Sequence, residues 1–365
     1  MSDYFEIDFL KIDSNNSGDA ITLRYLKDDI VRIHVVDAGY KKTGESVIEH
    51  LNQYYDKPTK IDAVVVTHPD GDHAGGIIQI LEEYEVGQLW MLRPWEYANE
   101  LISRFSRFTN VENLADRLKK IYSTIAEIEK VANDKNIQIK APFQGSIIGD
   151  FIVCAPLKSR YLDLIVESEK TPEAAKDMDE SLLKSLGLTL EKVAAKVISF
   201  VKALWGEEVF SPQETSPENE MSVVQFALLT DKKILLTGDA GRSALAETAT
   251  FLNGIGIRLP GIDRIQVPHH GSRRNVSTEV LDMLLGERLE EKPDNTSSGF
   301  TAIISASEDD KDHPRNSVIR AFYHRGARSV TSTEKNGLRT SMNAPKREGW
   351  VTATPIPYPN EQEKV

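Results

Sequence analysis

Apolar stretches alternate with stretches of helical spacing along the first third of the chain. Residues 20–26 (AITLRYL), 30–39 (IVRIHVVDAG) and 61–68 (IDAVVVTH) alternate or run apolar and are rich in β-branched residues, which predicts strands. Residues 44–55 (GESVIEHLNQYY) and 74–85 (AGGIIQILEEYE) have the spacing of helices. The polar residues between the last strand and the last helix therefore form a loop at the end of a strand.

The same alternation returns in the second half. Strands are predicted in MSVVQFALLT, KKILLTGDAG, IDRIQVPHHGS and FTAIISAS, with helices between them, and a last strand is predicted in GWVTATPIP, residues 349–357. Two helical blocks, at about 95–134 and about 161–206, interrupt the strands. We interpret them as helical insertions into a single domain of residues 1–365.

Composition indicates a folded protein. Hydrophobic residues make up 40% and charged residues 27%. The first residues have no basic segment followed by an apolar run, and no stretch approaches the ~18 apolar residues of a membrane span, so we expect a cytoplasmic protein with no membrane partner. The single cysteine, Cys154, excludes an intramolecular disulfide and a cysteine-based zinc cluster, and its apolar surroundings predict a buried thiol.

Charge is unevenly distributed. The net charge of −12 argues against a general nucleic-acid coat, because phosphate binding relies on Lys and Arg. Residues 311–350 nevertheless contain nine Lys or Arg against three acids. Two interpretations stay open for this basic stretch: a solvated face, or a local surface that binds anions.

Potential metal ligands follow four of the predicted strands. The loop HPDGDH contributes His68, Asp70, Asp72 and His73; later loops contribute Asp239, the pair His269 and His270, and His313. Histidine together with carboxylate suits a borderline or hard divalent ion. The repetition of this design over several loops predicts a metal site at one edge of the sheets.

These motifs resemble the metallo-β-lactamase-fold hydrolases. HPDGDH is similar to the HxHxDH signature of that family, with Asp70 in place of the second histidine. LLTGD, VPHHGS and the late HP motif bring the chain closest to the ComEC-like group, the hydrolase domain of the bacterial DNA-uptake channel, here without a channel. The resemblance covers a core from about Ala20 to about Gly326 and implies an α/β, four-layer αββα fold.

The resemblance also implies a ligand set. One ion would be held by Asp72, His73 and His269, the other by His68 and Asp70, with Asp239 bridging the two. No histidine occurs between His73 and His269, so the usual third histidine of the site around His68 is missing. An oxygen-rich site favours a harder ion such as Mn²⁺ or a weakly held second metal. We therefore expect one or two divalent ions per chain, Zn²⁺ or Mn²⁺.

A divalent ion lowers the pKa of bound water towards ~7, and the resulting hydroxide would attack phosphorus or a carbonyl carbon. Asp72 or Asp70 would orient it, and His313 would protonate the leaving oxygen unless it is structural. His270 has three open interpretations: a ligand, a phosphate contact, or a residue behind a ligand. Hydroxyl, guanidinium and helix N-terminus groups suited to phosphate follow the ligands, at Ser272, Arg273, Arg274 and Arg315.

Other singled-out residues are predicted to be structural. His34, His50 and His324 lack an adjacent acid cluster in the sequence, and Asp37 ends a strand and is expected to order a loop near the site. The leading functional hypothesis is a metal-dependent phosphodiesterase or nuclease acting on nucleic acid or nucleotides. The alternatives are an esterase, lactonase or thioesterase on the same fold, and a protein-interaction module with a vestigial site. The helical insertions are the expected surface for a protein partner.

Overall fold

The computed structural model describes residues 2–168, 170–171, 199–293 and 299–364. Within these ranges the strands form two seven-stranded sheets and one two-stranded ribbon. The strands are β1 (Tyr4–Phe9), β2 (Ala20–Lys27), β3 (Ile30–Ala38), β4 (Lys60–Val65), β5 (Glu85–Trp90), β6 (Ile139–Lys140), β7 (Ile147–Ile148), β8 (Phe151–Ala155), β9 (Phe200–Lys202), β10 (Val224–Leu229), β11 (Lys232–Leu236), β12 (Arg264–Gln266), β13 (Thr301–Ile304), β14 (Ser329–Ser332), β15 (Leu338–Met342) and β16 (Glu361–Glu363).

Helices connect and cover the strands. Those in the described ranges are α1 (Lys41–Tyr54), α2 (Gly71–Ala74), α3 (Ile77–Glu83), α4 (Ala98–Leu101), α5 (Val111–Ile121), α6 (Ser123–Asp134), α7 (Lys158–Glu167), α8 (Pro217–Glu220), α9 (Arg242–Gly254), α10 (Thr278–Leu285) and α11 (Asn316–His324). None of these helices combines the length and the apolar character that crossing a membrane requires.

The strand order brings the ends of the ligand-bearing strands to one edge. The first sheet has the order β15-β1-β2-β3-β4-β5-β6, and β3, β4 and β5 run parallel. The second sheet has the order β14-β13-β12-β11-β10-β8-β7, and β11 to β14 run parallel. Carboxyl ends of parallel strands share an edge, where functional groups of α/β layers collect.

Side-chain alternation on the second sheet defines the layers. Ile234 and Leu236 of β11 pack into the core that contains the first sheet, whereas Leu235 between them packs into the core formed with α9, α10 and α11. Successive side chains of a strand point to opposite faces, so the second sheet lies between the first sheet and its own helices. Helices α1 and α3 cover the outside of the first sheet. The predicted four-layer αββα fold is confirmed.

The helical block predicted at 95–134 is present as α4, α5 and α6. Leu101, Phe105, Leu114 and Leu118 of this block are buried in the same core as the first sheet. The block predicted at 161–206 is described only in part: α7 covers its start, and residues 169 and 172–198 lie outside the described residues.

The predicted last strand at 349–357 is wrong. Residues 351–359 form neither helix nor strand, and the terminal strands are β15 and β16 instead. Pro355, Pro357 and Pro359 lack the backbone N–H that a strand ladder needs, which explains why the apolar alternation there forms no strand.

Both interpretations of the basic stretch at 311–350 are wrong for most of its arginines. Arg320 is fully buried and donates to the carbonyl of Pro359. Arg325 is buried against Glu208, and Arg339 and Arg347 both bind the buried carboxylate of Glu6. A charge count along the sequence cannot include acids that folding brings from distant positions, so Arg325, Arg339 and Arg347 are internal ion-pair partners, whereas Arg320 donates to backbone carbonyls.

Candidate metal centre

Three loops at the carboxyl ends of their strands meet at this centre. The loop after β4 and the short helix α2 contribute His68, Asp72 and His73, the loop after β11 contributes Asp239, and the turn after β12 contributes His269 and His270. The structure therefore brings together predicted ligands that are separated by up to two hundred residues in sequence.

Asp239 lies at the middle of the group and is buried. Its Oδ1 is 3.3 Å from Nε2 of His73 and 3.7 Å from Nε2 of His270. Its Oδ2 is 3.8 Å from Nε2 of His68 and 3.6 Å from Nε2 of His269. Each oxygen of one carboxylate thus faces a different pair of imidazoles.

Asp72 lies on the Oδ1 side of Asp239. Its Oδ2 is 4.0 Å from Nε2 of His73 and 3.9 Å from Nε2 of His270. Ligand atoms of His73, Asp239 and His270 all lie within 4.8 Å of one another, as do those of His68, Asp72 and His73. These separations are compatible with metal-ligand sets that contract around an ion.

The other ring nitrogen of each histidine already has a protein partner. The Nδ1 atoms of His68, His73, His269 and His270 lie at hydrogen-bond distance from Thr67 Oγ1, Asp37 Oδ2, Asn275 Oδ1 and the carbonyl of Ser305, respectively. A partner on Nδ1 fixes the ring and leaves the Nε2 lone pair for a cation.

Asp37 orders the loop that carries His68 and His73, as predicted from its place at the end of β3. One carboxylate accepts hydrogen bonds from the backbone N–H and the hydroxyl of Thr67 and from Nδ1 of His73. The residue has a positive φ of 56°, a conformation that Asp tolerates better than most residues. Asp37 therefore ties the end of β3 to the ligand loop, and that prediction is confirmed.

Buried polar atoms without a partner show that the centre fits a cation. Nε2 of His68, His73 and His270 and Oδ1 of Asp239 are buried and have no hydrogen-bond partner among the described residues. Leaving such an atom unsatisfied costs about 1–3 kcal/mol. Four orphaned atoms that converge on one point are explained by a divalent ion, and both donor types present are common ligands of such ions.

The close approach of charged groups shifts the pKa values of Asp239 and of the histidines around it. Burial would raise the pKa of Asp239, but His269, His73 and His270 hold it well below its usual range. Burial would lower the pKa of His270, but Asp239 and Asp72 raise it to about 9. The pKa of His269 is lowered to about 4, mainly by burial. The carboxylate of Asp239 is thus ionised at neutral pH, as a metal ligand must be.

Asp70 does not join the cluster, which contradicts its prediction as a ligand and as the residue that orients the attacking water. Its Oδ1 accepts a hydrogen bond from Nζ of Lys170 at 2.9 Å, and its side chain is 33% exposed. Asp70 immediately precedes α2 and pairs with Lys170, whereas Asp72 and His73, inside α2, lie beside the histidines and Asp239.

The turn VPHHGS is not extended. Both His269 and His270 have left-handed backbone conformations. This turn lets His270 place Nε2 beside Asp239 and Asp72 while its Nδ1 donates to the carbonyl of Ser305.

His313 lies beside the cluster. Its ring stacks on that of His269, with centroids 5.4 Å apart, and its Nδ1 is 3.2 Å from Oδ2 of Asp310. None of the cluster carboxylates is within ion-pair distance of it in the described structure. His313 therefore lies next to His269 and outside the group of side chains around Asp239.

The residues predicted to bind phosphate contact other parts of the chain. Ser272 is buried and its hydroxyl accepts from the backbone N–H of Arg274. Arg273 donates to the carbonyl of Lys364, and Arg315 pairs with the exposed Asp312.

The helix N-terminus predicted to bind phosphate is already occupied. Glu363, in the last strand, accepts hydrogen bonds from the backbone N–H groups of Asn316 and Ser317 at the start of α11. A buried carboxylate of the same chain therefore satisfies these donors.

Sequence reasoning missed several polar residues that support the ligands. Asp19 is buried, with Oδ2 3.6 Å from Nδ1 of His73 and hydrogen-bonded to Gln266. Asn219 and Asn275 contact His269, and Asp310 holds His313. Asn275 lies in the stretch HHGSRRN, whereas Asp19 precedes a strand with no motif to mark it.

The remaining histidines lie elsewhere, as predicted. His34 is buried on β3 beside Tyr25, His50 pairs with Asp8, and His324 contacts Glu208. The thiol of Cys154 is buried, and burial raises its pKa.

Residues 33–130 match the family model described as the metallo-beta-lactamase superfamily. No curated protein sequence matches the chain. The segment that matches contains the first ligand loop but neither Asp239 nor the histidine pair.

Several solved structures are similar in fold. The hydrolase AbOPH of the beta-lactamase superfamily is 9% identical, with 60% of this chain and 56% of that one covered and a TM-score of 0.31. MEM-A1, a subclass B3 metallo-beta-lactamase from a soil metagenome library, is 10% identical, with coverage of 77% and 83% and a TM-score of 0.31. AidC, a dizinc quorum-quenching lactonase, is 13% identical, with coverage of 65% and 68% and a TM-score of 0.29. The chain thus spans little more than half the length of AbOPH.

Proposed function

We propose that this chain, whose residues 33–130 match the metallo-beta-lactamase superfamily model, is a metal-dependent phosphodiesterase of that superfamily. The observation that carries the proposal is the buried carboxylate of Asp239 with the Nε2 atoms of four histidines around it. One or two divalent ions would be held there by His68, Asp72, His73, Asp239, His269 and His270.

The donor set favours zinc over manganese. The expectation of Mn²⁺ depended on Asp70 as a ligand, but Asp70 pairs with Lys170. Four imidazoles and two carboxylates form a nitrogen-rich set, and imidazole suits Zn²⁺ whereas Mn²⁺ prefers oxygen. When bound, the ion would supply Lewis acidity and lower the pKa of a coordinated water.

Three cations near the centre support a phosphodiester substrate. In the described part of the chain, Lys170 pairs with the partly exposed Asp70, Arg315 pairs with the exposed Asp312, and Arg273 donates to a backbone carbonyl. Exposed ion pairs are worth about 0–1 kcal/mol, so these side chains can exchange their partners for phosphate oxygens at little cost. An acyl substrate would not require such cations.

His313 is suited to deliver a proton to the leaving oxygen. Its Nδ1 faces the carboxylate of Asp310, which fixes the ring and favours a proton on that nitrogen. In the protonated ring, Nε2–H is the group available to the leaving oxygen. His313 therefore acts as a general acid, with Asp310 as its positioning residue.

A comparison of substrates tests the proposal. The Zn²⁺-loaded and Mn²⁺-loaded protein is assayed for kcat/KM on bis-nitrophenyl phosphate, single-stranded DNA, RNA, a cyclic dinucleotide and a lactone, with Asp239→Ala as the inactive control. We expect phosphodiester cleavage that EDTA abolishes. A clear preference for the lactone would replace the proposal with acyl hydrolysis, and a protein that binds no divalent ion would favour an interaction module.

A further inference from the structure

His269 and His270 are consecutive residues with left-handed backbones. Their φ and ψ angles are 46° and 53° for His269 and 55° and 18° for His270. For residues with a Cβ this conformation costs roughly 1–2 kcal/mol each, so it persists only where the surroundings enforce it. The N–H of His269 donates to the carbonyl of Gly238, and the N–H of Ser272 donates to the carbonyl of His269, which holds the turn against the Asp239 loop.

The turn changes where the two side chains point. On an extended strand adjacent side chains point to opposite faces, so only one of two neighbours could reach a given centre. Here the two rings lie 5.6 Å apart at 75°, and both direct Nε2 at Asp239. They reach different oxygens: His270 faces Oδ1, on the side of Asp72 and His73, and His269 faces Oδ2, on the side of His68.

We propose that this histidine pair divides between two metal positions. His270 completes the position of Asp72, His73 and Asp239, and His269 completes the position of His68 and Asp239. His269 thereby takes the place of the histidine that is missing from the sequence between His73 and the pair. The proposal rests on the metal dependence proposed above and is independent of the substrate.

The surroundings of His269 support a ligand rather than a packing histidine. The side-chain nitrogen of Asn275 donates to the carbonyls of Asp239 and Ala240, so its Oδ1 is the atom that faces Nδ1 of His269. Nδ2 of Asn219 also lies 3.0 Å from this Nδ1, so two amide side chains hold the ring with its Nε2 directed at Asp239.

The two positions differ in how completely the protein encloses them. His73, His270 and Asp239 are nearly fully buried, whereas the His269 side chain is 25% exposed. The first position has four protein side chains and the second has three. A three-ligand position with one open side is the arrangement that catalytic zinc sites use, so we assign the more weakly held, substrate-facing ion to His68, His269 and Asp239.

Metal stoichiometry and affinity of single variants test the assignment without an activity assay. Wild type, His269→Ala, His269→Asn and His270→Ala are compared by elemental analysis after dialysis, by Zn²⁺ competition with a chelator, and by the absorption spectrum of the Co²⁺-loaded protein. His313→Ala is the matched control, because its ring stacks on His269 but faces no cluster carboxylate. Circular dichroism establishes that each variant is folded.

We expect two ions in wild type and in His313→Ala. Both His269 variants should keep one ion at wild-type affinity and lose at least tenfold in affinity for the other, whereas His270→Ala should weaken the tighter ion. Three results would overturn the assignment: two ions of unchanged affinity in the His269 variants, loss of the same ion in the His269 variants and in His270→Ala, or a wild type that takes up a single ion. None of these results would contradict the hydrolase proposal. A wild type without any ion would instead overturn the proposed function.

Discussion

Asp37 and His73 form a buried pair in which Oδ2 of the carboxylate lies 2.8 Å from Nδ1 of the imidazole. Both side chains are almost completely shielded from water. Because the same carboxylate also accepts from Thr67, it couples the end of β3 to the loop after β4 and turns Nε2 of His73 towards Asp239. Asp37 thus determines which nitrogen of His73 faces Asp239.

Asp37→Asn should weaken metal binding. The amide keeps the size of the side chain but cannot accept from all three donors and removes the charge that favours a proton on Nδ1 of His73. Loss of such a supporting partner typically costs 10–100-fold in metal affinity. Chelator competition measures the change. Asp62→Asn, which alters a carboxylate that accepts from the backbone N–H of Ile33, is the control; equal losses in both variants would contradict a specific connection to His73.

Asp70 and Asp72 should differ in their effect on metal content, although they are two residues apart. Asp72→Asn should reduce the metal content, because its Oδ2 lies beside His73 and His270. Asp70→Asn should leave the metal content unchanged and Zn²⁺ bound more tightly than Mn²⁺, because its carboxylate pairs with Lys170. Elemental analysis distinguishes the two. Metal loss in Asp70→Asn would restore Asp70 as a ligand.

Arg315→Ala and Ser272→Ala should slow phosphodiester hydrolysis with the metal still bound. Each lost hydrogen bond to a charged oxygen should cost roughly 1.5–3 kcal/mol of transition-state binding, about tenfold or more in rate. The measurement is kcat/KM on bis-nitrophenyl phosphate alongside metal content. Arg328→Ala, which alters an arginine that donates to Thr301, is the control. Unchanged rates would place the phosphate contacts elsewhere.

His313→Ala should slow substrates with poor leaving groups more than activated nitrophenyl esters. Only the former need a proton on the leaving oxygen in the transition state. Asp310→Asn should give a smaller effect in the same direction, because it removes the partner of Nδ1 but retains the imidazole. An equal loss on both classes of substrate would mean that His313 supports the structure of the site instead of transferring a proton.

Acid should destabilise the protein in part through Glu208. Burial would raise the pKa of this carboxylate, but His324 and Arg325 lower it. The pKa of Glu208 in the folded protein therefore lies below the unfolded value of about 4.3. Its ionised carboxylate stabilises the folded state fully above that pH, and this stabilisation is lost as the pH falls through the pKa of the folded state. Glu208→Gln should lower the free energy of unfolding at pH 7 by about 3 kcal/mol and flatten its dependence on acid pH.

Thermal melts between pH 7 and pH 3.5 check this expectation. Glu45→Gln removes the same charge from an exposed position on α1 and should reproduce the wild-type pH profile. A Glu208→Gln profile as steep as that of wild type would show that other carboxylates dominate acid unfolding.

The residues of the metal centre that lie in contiguous sequence motifs were predictable. HPDGDH, LLTGD and VPHHGS each follow an apolar strand. Parallel pairing of β11 with β12 brings Asp239 and His270 together, and packing of the two sheets against each other brings His73, which follows β4, to the same place. Which carboxylate of a motif faces the ion was not predictable in the same way. Asp70 and Asp72 differ only in the direction that the start of α2 gives them, and that direction depends on backbone angles.

Residues that act across the fold left no local signal. Asp19 precedes a strand, Asn219 lies in the short helix α8, and Glu363 lies in β16, yet all three contact ligands or their neighbouring helix. The left-handed turn of the histidine pair was equally hidden, because histidine carries no sequence preference as strong as glycine for that conformation. Long-range contacts of this kind follow from the fold and not from periodicity.

A shortened form of this protein needs the segment before β2 to keep its ligand loop in place. A Cβ at Gly18 would lie 2.5 Å from the carbonyl oxygen of Asp72, and the N–H of Asp19 donates to that same oxygen. A fragment that begins at Ala20, where the motif-bearing core begins in the sequence, would lose β1 and the hydrogen bond from Asp19 to Asp72. Such a fragment would retain every predicted ligand and still lack the backbone contact that holds Asp72 in place, so its inactivity would say nothing about the chemistry of the ligands.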